Sequence, residues 1–212
     1  MTGPDAKDEQ DRYRKSAHYR HHDTLSALGT CQQFRLVSAL GNLIHRDWFR
    51  RYDLLPQSNF RTKIVQSWDI AMMVGNQHDY SVCTTWMAQK NDYYLVDVIR
   101  RRVEYPDLRR LVIAKAGEHR ATTVLIEEIG PGLQLLQDLR FETPNGMTRP
   151  IGWKPIGSKL ERMATPSAKI EAGHVYLPKD APWLDDSFVE LLSFPNGRHD
   201  DQVDSRLSLT VS

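Results

Sequence analysis

The sequence predicts an α/β fold, a mixed central sheet built on an antiparallel three-strand meander with flanking helices. Three observations carry this. Val65–Met73 alternates Trp68, Ile70 and Met72 with Ser67, Asp69 and Ala71, the period-two pattern of a half-buried strand. Tyr80–Gln89 and Tyr93–Ile99 follow after short polar turns, the spacing of a meander. Beyond them, short apolar runs alternate with helix-spaced segments, which extends a sheet through helical connections.

Taken in order, residues 1–25 are polar and interleave Arg12, Arg14, Arg20, His18, His21 and His22. Residues 1–40 read as a polar, partly disordered extension, with the histidines more simply solvated than metal-bound. Phe34, Leu36, Val37, Leu40, Leu43 and Ile44 suit a short amphipathic helix within residues 30–48. Residues 41–63 form a lead-in that ends in the linker Leu54-Leu55-Pro56-Gln57-Ser58-Asn59. Residues 64–212 are the main domain. After the Val65–Met73 strand, residues 74–79 turn the chain. Tyr80–Gln89 is rich in β-branched residues, and Lys90-Asn91-Asp92 turns into the third strand. Pro106 opens a helix as a first-turn residue, Leu108, Leu111, Val112 and Lys115 share a face, and Gly117 is the expected stop. Thr122–Ile126 is an apolar strand running into Glu127-Glu128-Ile129-Gly130-Pro131-Gly132. A helix with Leu135, Leu136 and Leu139 follows, then a strand in Arg149–Pro155. A helix begins at Ser158, is interrupted at Pro166 and resumes to Ala172, with Gly173 ending it. Val175–Leu177 is an edge strand, Trp183–Leu192 a helix, and His199–Asp204 begins a last helix after the loop Phe194–Arg198.

The bulk numbers bound the function. The chain has 212 residues, 40% hydrophobic and 26% charged, which suits one globular core with a short extension. No apolar run approaches the roughly 18 residues of a membrane helix, and the N-terminus has no apolar stretch of a secretory signal. Cys31 and Cys83 form no Cys-x-x-Cys motif, so a reducing compartment and no structural zinc are expected. Residues 1–63 carry 11 Lys/Arg against 7 Asp/Glu, and residues 64–212 carry 17 against 20, a net of −3. A nucleic-acid partner must therefore meet a local basic patch rather than a global positive field.

The carboxylates pose the chemical question. Asp69 sits in an apolar strand, where an unpaired charge costs about several kcal/mol unless it is paired, protonated or metal-bound. Glu127 and Glu128 stand where a buried strand ends. Asp200, Asp201 and Asp204 open the last helix, with i,i+3 and i,i+4 spacings that put them side by side. Acids from three separate elements suit hard divalent cations such as Mg²⁺ or Mn²⁺. Two such ions about 3.5–4 Å apart support phosphodiester hydrolysis. An ordinary helix cap accounts equally well for Asp200 and Asp201 taken alone, and a solvated strand end accounts for Glu127 and Glu128.

Three blocks resemble a known family. Gln66-Ser67-Trp68-Asp69-Ile70-Ala71, Val124-Leu125-Ile126-Glu127-Glu128 with Gly130 and Gly132 behind it, and Phe194-Pro195-Asn196-Gly197-Arg198-His199-Asp200-Asp201-Gln202-Val203-Asp204 resemble the nuclease domain of the phage terminase large subunit. The blocks occur in the family's order, from about Leu43 to the C-terminus, and the Phe-Pro…His-Asp-Asp-Gln-Val-Asp block is the most specific. Trp48–Tyr52 resembles the segment leading into that domain. The resemblance implies an RNase H-like fold and metal-dependent endonucleolytic cutting of concatemeric double-stranded DNA with two Mg²⁺ or Mn²⁺ ions. It assigns Asp69, Glu127 and Asp201 as the metal-binding catalytic acids and Asp200 as a neighbour that shares a metal. Glu128 stands where the family often has Asp, which leaves the choice within that pair open. Asp204 matches the later acid of the block. His199 beside the acids is a proton-acceptor candidate or a helix-start histidine without a role.

No Gly-x-x-x-x-Gly-Lys-Ser/Thr phosphate loop occurs in the sequence, so ATP-driven translocation is not expected of this polypeptide. The implied partners are an ATPase motor, a small terminase subunit and a portal, in the cytoplasm of a bacterial host, with no membrane. Candidate phosphate contacts are Lys154, Lys159 and Arg162, and Arg100, Arg101 and Arg102. Two rivals remain at the level of sequence: a Holliday-junction resolvase or transposase-like nuclease, and a non-catalytic packaging module.

Overall fold

A computed structural model of the chain describes residues 44–71, 73–74, 77–78, 80–144 and 146–185. Nine strands occur among them: β1 (Arg50–Tyr52), β2 (Lys63–Asp69), β3 (Met73–Val74), β4 (Gln77–His78), β5 (Ser81–Gln89), β6 (Asp92–Arg101), β7 (Thr123–Glu127), β8 (Ile151–Trp153) and β9 (Val175–Pro178). The helices are α1 (Tyr105–Glu118), α2 (Pro131–Phe141) and α3 (Lys159–Glu171). Seven strands form one sheet in the order β1-β9-β6-β5-β2-β7-β8, and β3 pairs with β4 as a separate hairpin. The β2–β5–β6 meander is antiparallel, whereas β7 and β8 join β2 in parallel and β9 and β1 join β6 in parallel.

The parallel additions require crossovers, and the three helices supply them. The first face of the sheet packs on α1 and α2. Trp68, Cys83, Ile99, Val124 and Ile126 meet Leu108, Val112, Leu135, Leu136 and Leu139 in one buried cluster. On the opposite face Lys169 of α3 donates to the Tyr93 hydroxyl at 2.7 Å. Tyr93 and Leu95 alternate onto the same side as Trp86, Val65 and Asp69. With both faces covered, β5 is buried from Ser81 through Met87 and loses the alternation of a half-buried strand. Ser67 and Gln66 of β2 are likewise both buried.

Several elements differ from the sequence expectation. The strand expected to reach Met73 ends at Asp69 because its partner β5 begins at Ser81, and Asp69 already pairs with Val82. The chain then leaves the sheet, with the Ala71 amide donating to Ser81 Oγ at 3.3 Å, and the expected turn 74–79 contains the second strand of the β3–β4 hairpin. β9 is not an edge strand, since Arg50–Tyr52 of the lead-in pairs outside it. Lys179 N donates to the Tyr52 carbonyl at 3.0 Å and Tyr52 Oη to the Leu95 carbonyl at 2.7 Å; burial pushes the Tyr52 phenol up to about 12. Of the helix expected within residues 30–48, the described portion holds one 3₁₀ turn, Arg46–Trp48.

Pro166 does not break α3. Its ring is buried, and Ser167 Oγ donates to the Met163 carbonyl at 2.7 Å, which adds a bond in the turn where proline removes one. The helix starts on a capping box, with Ser158 and Glu161 satisfying each other's backbone N–H groups. Gly173 takes a φ of 73° and ends it as expected.

Gly117, in contrast, lies inside α1, and the left-handed turn falls on Arg120 at φ 50°. A Cβ at Gly117 meets nothing within 4 Å. Gly117→Ala should therefore stabilise the domain by about 0.5–1 kcal/mol through lower unfolded-state entropy, read as a higher denaturant midpoint with an unchanged slope.

Candidate active site

Asp69 and Glu127 end neighbouring parallel strands. Register runs Val65–Thr123, Gln66–Val124, Ser67–Leu125 and Trp68–Ile126; one further step brings Asp69 level with Glu127. Paired positions in a parallel ladder point to the same face, and neighbouring strands lie about 4.8 Å apart. The two carboxylates are therefore side by side at the C-terminal edge of the sheet, on the α3 side. Glu127 is 8% exposed and Asp69 half-buried, and each is engaged with a neighbouring group. Two ionised carboxylates at strand spacing repel by about 3 kcal/mol at an effective dielectric near 20. Such a pair, partly withdrawn from water, is stabilised by positive charge placed against it.

The local sequence explains how Glu127 is held. Gly130 caps α2 with φ 51°, and Pro131 starts the helix. A Cβ at Gly132 would stand 2.3 Å from the Glu127 carbonyl oxygen, so only glycine lets the first turn of α2 approach the strand end this closely. The positive end of the helix dipole then lies behind the acid.

Glu128 parts from Glu127. Its amide donates to the Trp153 carbonyl at 2.8 Å. Its carboxylate folds over Gly152 beside Leu136 of α2 and lies 3.6 Å from Lys154 Nζ. Of the two adjacent acids, Glu127 shares the Asp69 side of the sheet and Glu128 turns to the α2 side. His199, Asp200, Asp201 and Asp204 lie outside the described residues, as do residues 1–40 and most of the expected 183–192 helix.

The basic candidates also separate. Lys154 pairs with Glu128. Arg162 Nη1 donates to the Gly157 carbonyl at 3.0 Å at the start of α3, where Lys159 is the first helical residue. Arg100 lies in one cross-strand row with Asp69, through Val82. Arg100 and Arg102 pack on the Tyr80 ring, at 4.0 and 4.1 Å from its centroid, while Arg101, between them, points to the other side.

One cluster was not expected from sequence. Asp97, Glu118 and His119 bring ligand atoms within 4.8 Å of one another on the α1 face. Lys115 Nζ lies 2.9 Å from Glu118 and 3.6 Å from Asp97, so an internal ammonium already neutralises the carboxylates. The cluster clasps the end of α1 to β6. Its signal in the sequence was present but weak: Lys115, Glu118 and His119 are spaced to share the last turn of a helix.

The His119 hydrogen bond, at 3.2 Å, and the nearby Lys115 hold the Asp97 carboxyl below its usual range against the opposing effect of burial. A carboxyl depressed on folding contributes stability above its unfolded value, and that contribution is lost as pH falls through the folded value. Asp97→Asn should cost about 1 kcal/mol near neutral pH, with wild type and variant converging in acid unfolding curves as pH falls below the ordinary carboxylate range. Gly132→Ala should cost more, about 1–3 kcal/mol, because the new methyl meets backbone rather than a flexible side chain; thermal unfolding measures it.

Comparison with known proteins agrees with this fold. The family described as Terminase RNaseH-like domain matches residues 66–209. The large terminase nuclease from thermophilic phage G20c superposes with a TM-score of 0.57 at 15% identity, covering 79% of this chain and 96% of that one. Its magnesium-bound form gives 0.60 at 15% identity, with coverages of 80% and 96%. The human cytomegalovirus terminase nuclease domain gives 0.58 at 9% identity, with coverages of 79% and 94%. No curated protein sequence matches the chain. The strand order β6-β5-β2-β7-β8, with acids ending β2 and β7, is the RNase H-like core, and the chain belongs to the Terminase RNaseH-like domain family.

Proposed function

We propose that this domain is the metal-dependent endonuclease of a phage DNA-packaging terminase, cutting concatemeric double-stranded DNA. The observation that carries the reading is the parallel register that sets Asp69 level with Glu127. The donor set fits hard divalent cations, since carboxylate oxygens suit Mg²⁺ or Mn²⁺. Asp69 and Glu127 would hold them, with Asp201 as the third ligand acid and Asp200 beside it. Bound there, such ions would supply Lewis-acid chemistry, making a water more acidic and stabilising the leaving oxygen of the phosphodiester.

The residues of the chain itself do the positioning. The β2–β7 ladder fixes the spacing of the two acids, and α2 backs Glu127 with its N-terminal dipole. Glu128 belongs to the Lys154 ion pair and takes no ligand role. Asp204 and His199 flank the third acid, with His199 as proton acceptor. Lys159, Arg162 and the arginines at the end of β6 meet backbone phosphates. With few phosphate contacts on a domain of net charge −3, binding is sequence-tolerant and salt-sensitive. Site choice then comes from partners: a motor, a small subunit and a portal in the host cytoplasm. No helix among the described residues is long and apolar enough to cross a membrane.

Incubation with supercoiled plasmid and millimolar Mn²⁺ or Mg²⁺ should give nicked and linear products, and EDTA should stop the reaction. Asp69→Asn should reduce cleavage by more than about 100-fold, beyond what loss of an outer hydrogen-bond partner costs. Its unfolding midpoint without metal should be unchanged or higher, because a repelling charge is removed. A folded protein that leaves plasmid intact at every metal concentration would favour a packaging module without catalysis. Preference for a branched junction over linear duplex would favour a resolvase.

A further inference from the structure

The Tyr80 ring holds two guanidinium groups, and the nuclease reading does not require it to. Arg100, near the end of β6, projects from the face that carries Asp69, and Arg102, one residue past the strand, reaches the same Tyr80 ring. Two like charges gathered on one ring repel each other, and among the described residues no carboxylate lies within salt-bridge distance of either. Arg100 Nε is buried with no hydrogen-bond partner among those residues. The ring supplies part of the compensation through its quadrupole, and a bound anion would supply the rest. The guanidinium plane is suited to paired hydrogen bonds to phosphate oxygens.

Resting on the nuclease reading, we propose that Tyr80, Arg100 and Arg102 form a preassembled clamp for a DNA backbone phosphate flanking the cleaved bond. The row Asp69–Val82–Arg100 spans two strand spacings, about 10 Å. At about 3.4 Å of duplex axis per phosphate, the clamp engages a phosphate a few nucleotides from the reacting one. The arginines touch substrate. Tyr80 is a positioning residue that fixes their planes and lowers the ordering cost of binding. Arg101, on the other side of β6, is not part of it. A contact remote from the reacting phosphorus, made equally in ground and transition states, acts on KM rather than kcat.

Duplex binding with Ca²⁺ and cleavage with Mg²⁺ test this on the full chain. Arg102→Gln, at an exposed position, should weaken duplex binding about tenfold and reduce the salt slope by about one. In cleavage it should raise KM by a similar factor and leave kcat within about twofold. Tyr80→Leu should reproduce that pattern with the charge unchanged, and Tyr80→Phe, which keeps the ring, should restore wild-type values. Arg110→Gln, the same charge change on the far face in α1, is the control. If Arg102→Gln and Arg110→Gln weaken binding equally, or Tyr80→Leu binds as wild type, the clamp is refuted. Wild-type protein that binds duplex through the clamp yet never cuts would sink the nuclease reading and keep the clamp. Wild-type protein that cuts while Arg102→Gln is unaffected would do the reverse.

Discussion

The parallel ladder between β2 and β7 is the constraint on which the site depends. Each strand delivers one carboxylate, and the residue-by-residue pairing from Val65–Thr123 to Trp68–Ile126 decides that they end level. A slip of one residue would send Glu127 to the α2 face and leave Asp69 without its neighbour. The apolar side of the same ladder resists that slip. Trp68 and Ile126 are buried to 1% or less against α1 and α2, so the packing that stabilises the sheet also fixes the acid pair. The spacing of the acid pair and the hydrophobic register are one property here.

The glycines around α2 extend the same logic. Gly130 turns the chain through a left-handed conformation, and Gly132 lets the helix press on the Glu127 carbonyl. Gly152 leaves room for the Glu128 carboxylate above Leu136, where a Cβ would stand 2.0 Å from Glu128 Oε1. Small residues thus sort two adjacent acids onto opposite sides of one sheet, one toward the site and one into an ion pair.

Much of this was legible in the sequence. The meander, the three crossover helices and the end of the Glu127 strand follow from period and turn chemistry. The family blocks carried the assignment of acids that spacing alone left open. What was illegible has physical causes. Where a strand stops depends on its partner's length, which is why Asp69 moved from mid-strand to strand end. Pro166 reads as a break because local rules omit the burial and side-chain bond that sustain its helix. Gly117 reads as a stop, although the left-handed residue came three positions later. The edge strand Arg50–Tyr52 has only three residues and no alternation, so its pairing with β9 was invisible. The ring contact between Tyr80 and two arginines joins elements some twenty residues apart, beyond any local pattern.

That edge strand has a mechanical consequence. Arg50–Tyr52 is stitched to β9 by its ladder, by Arg51 Nη1 on the Pro178 carbonyl at 3.1 Å and by the Lys179 and Asp53 ion pair at 2.6 Å. Tension on the polypeptide ahead of Arg50 is therefore borne by the sheet itself and does not dissipate in the irregular stretch of residues 53–62. The lead-in is a bolted tether: a tug upstream is met by β9 and, beyond it, by the start of β6.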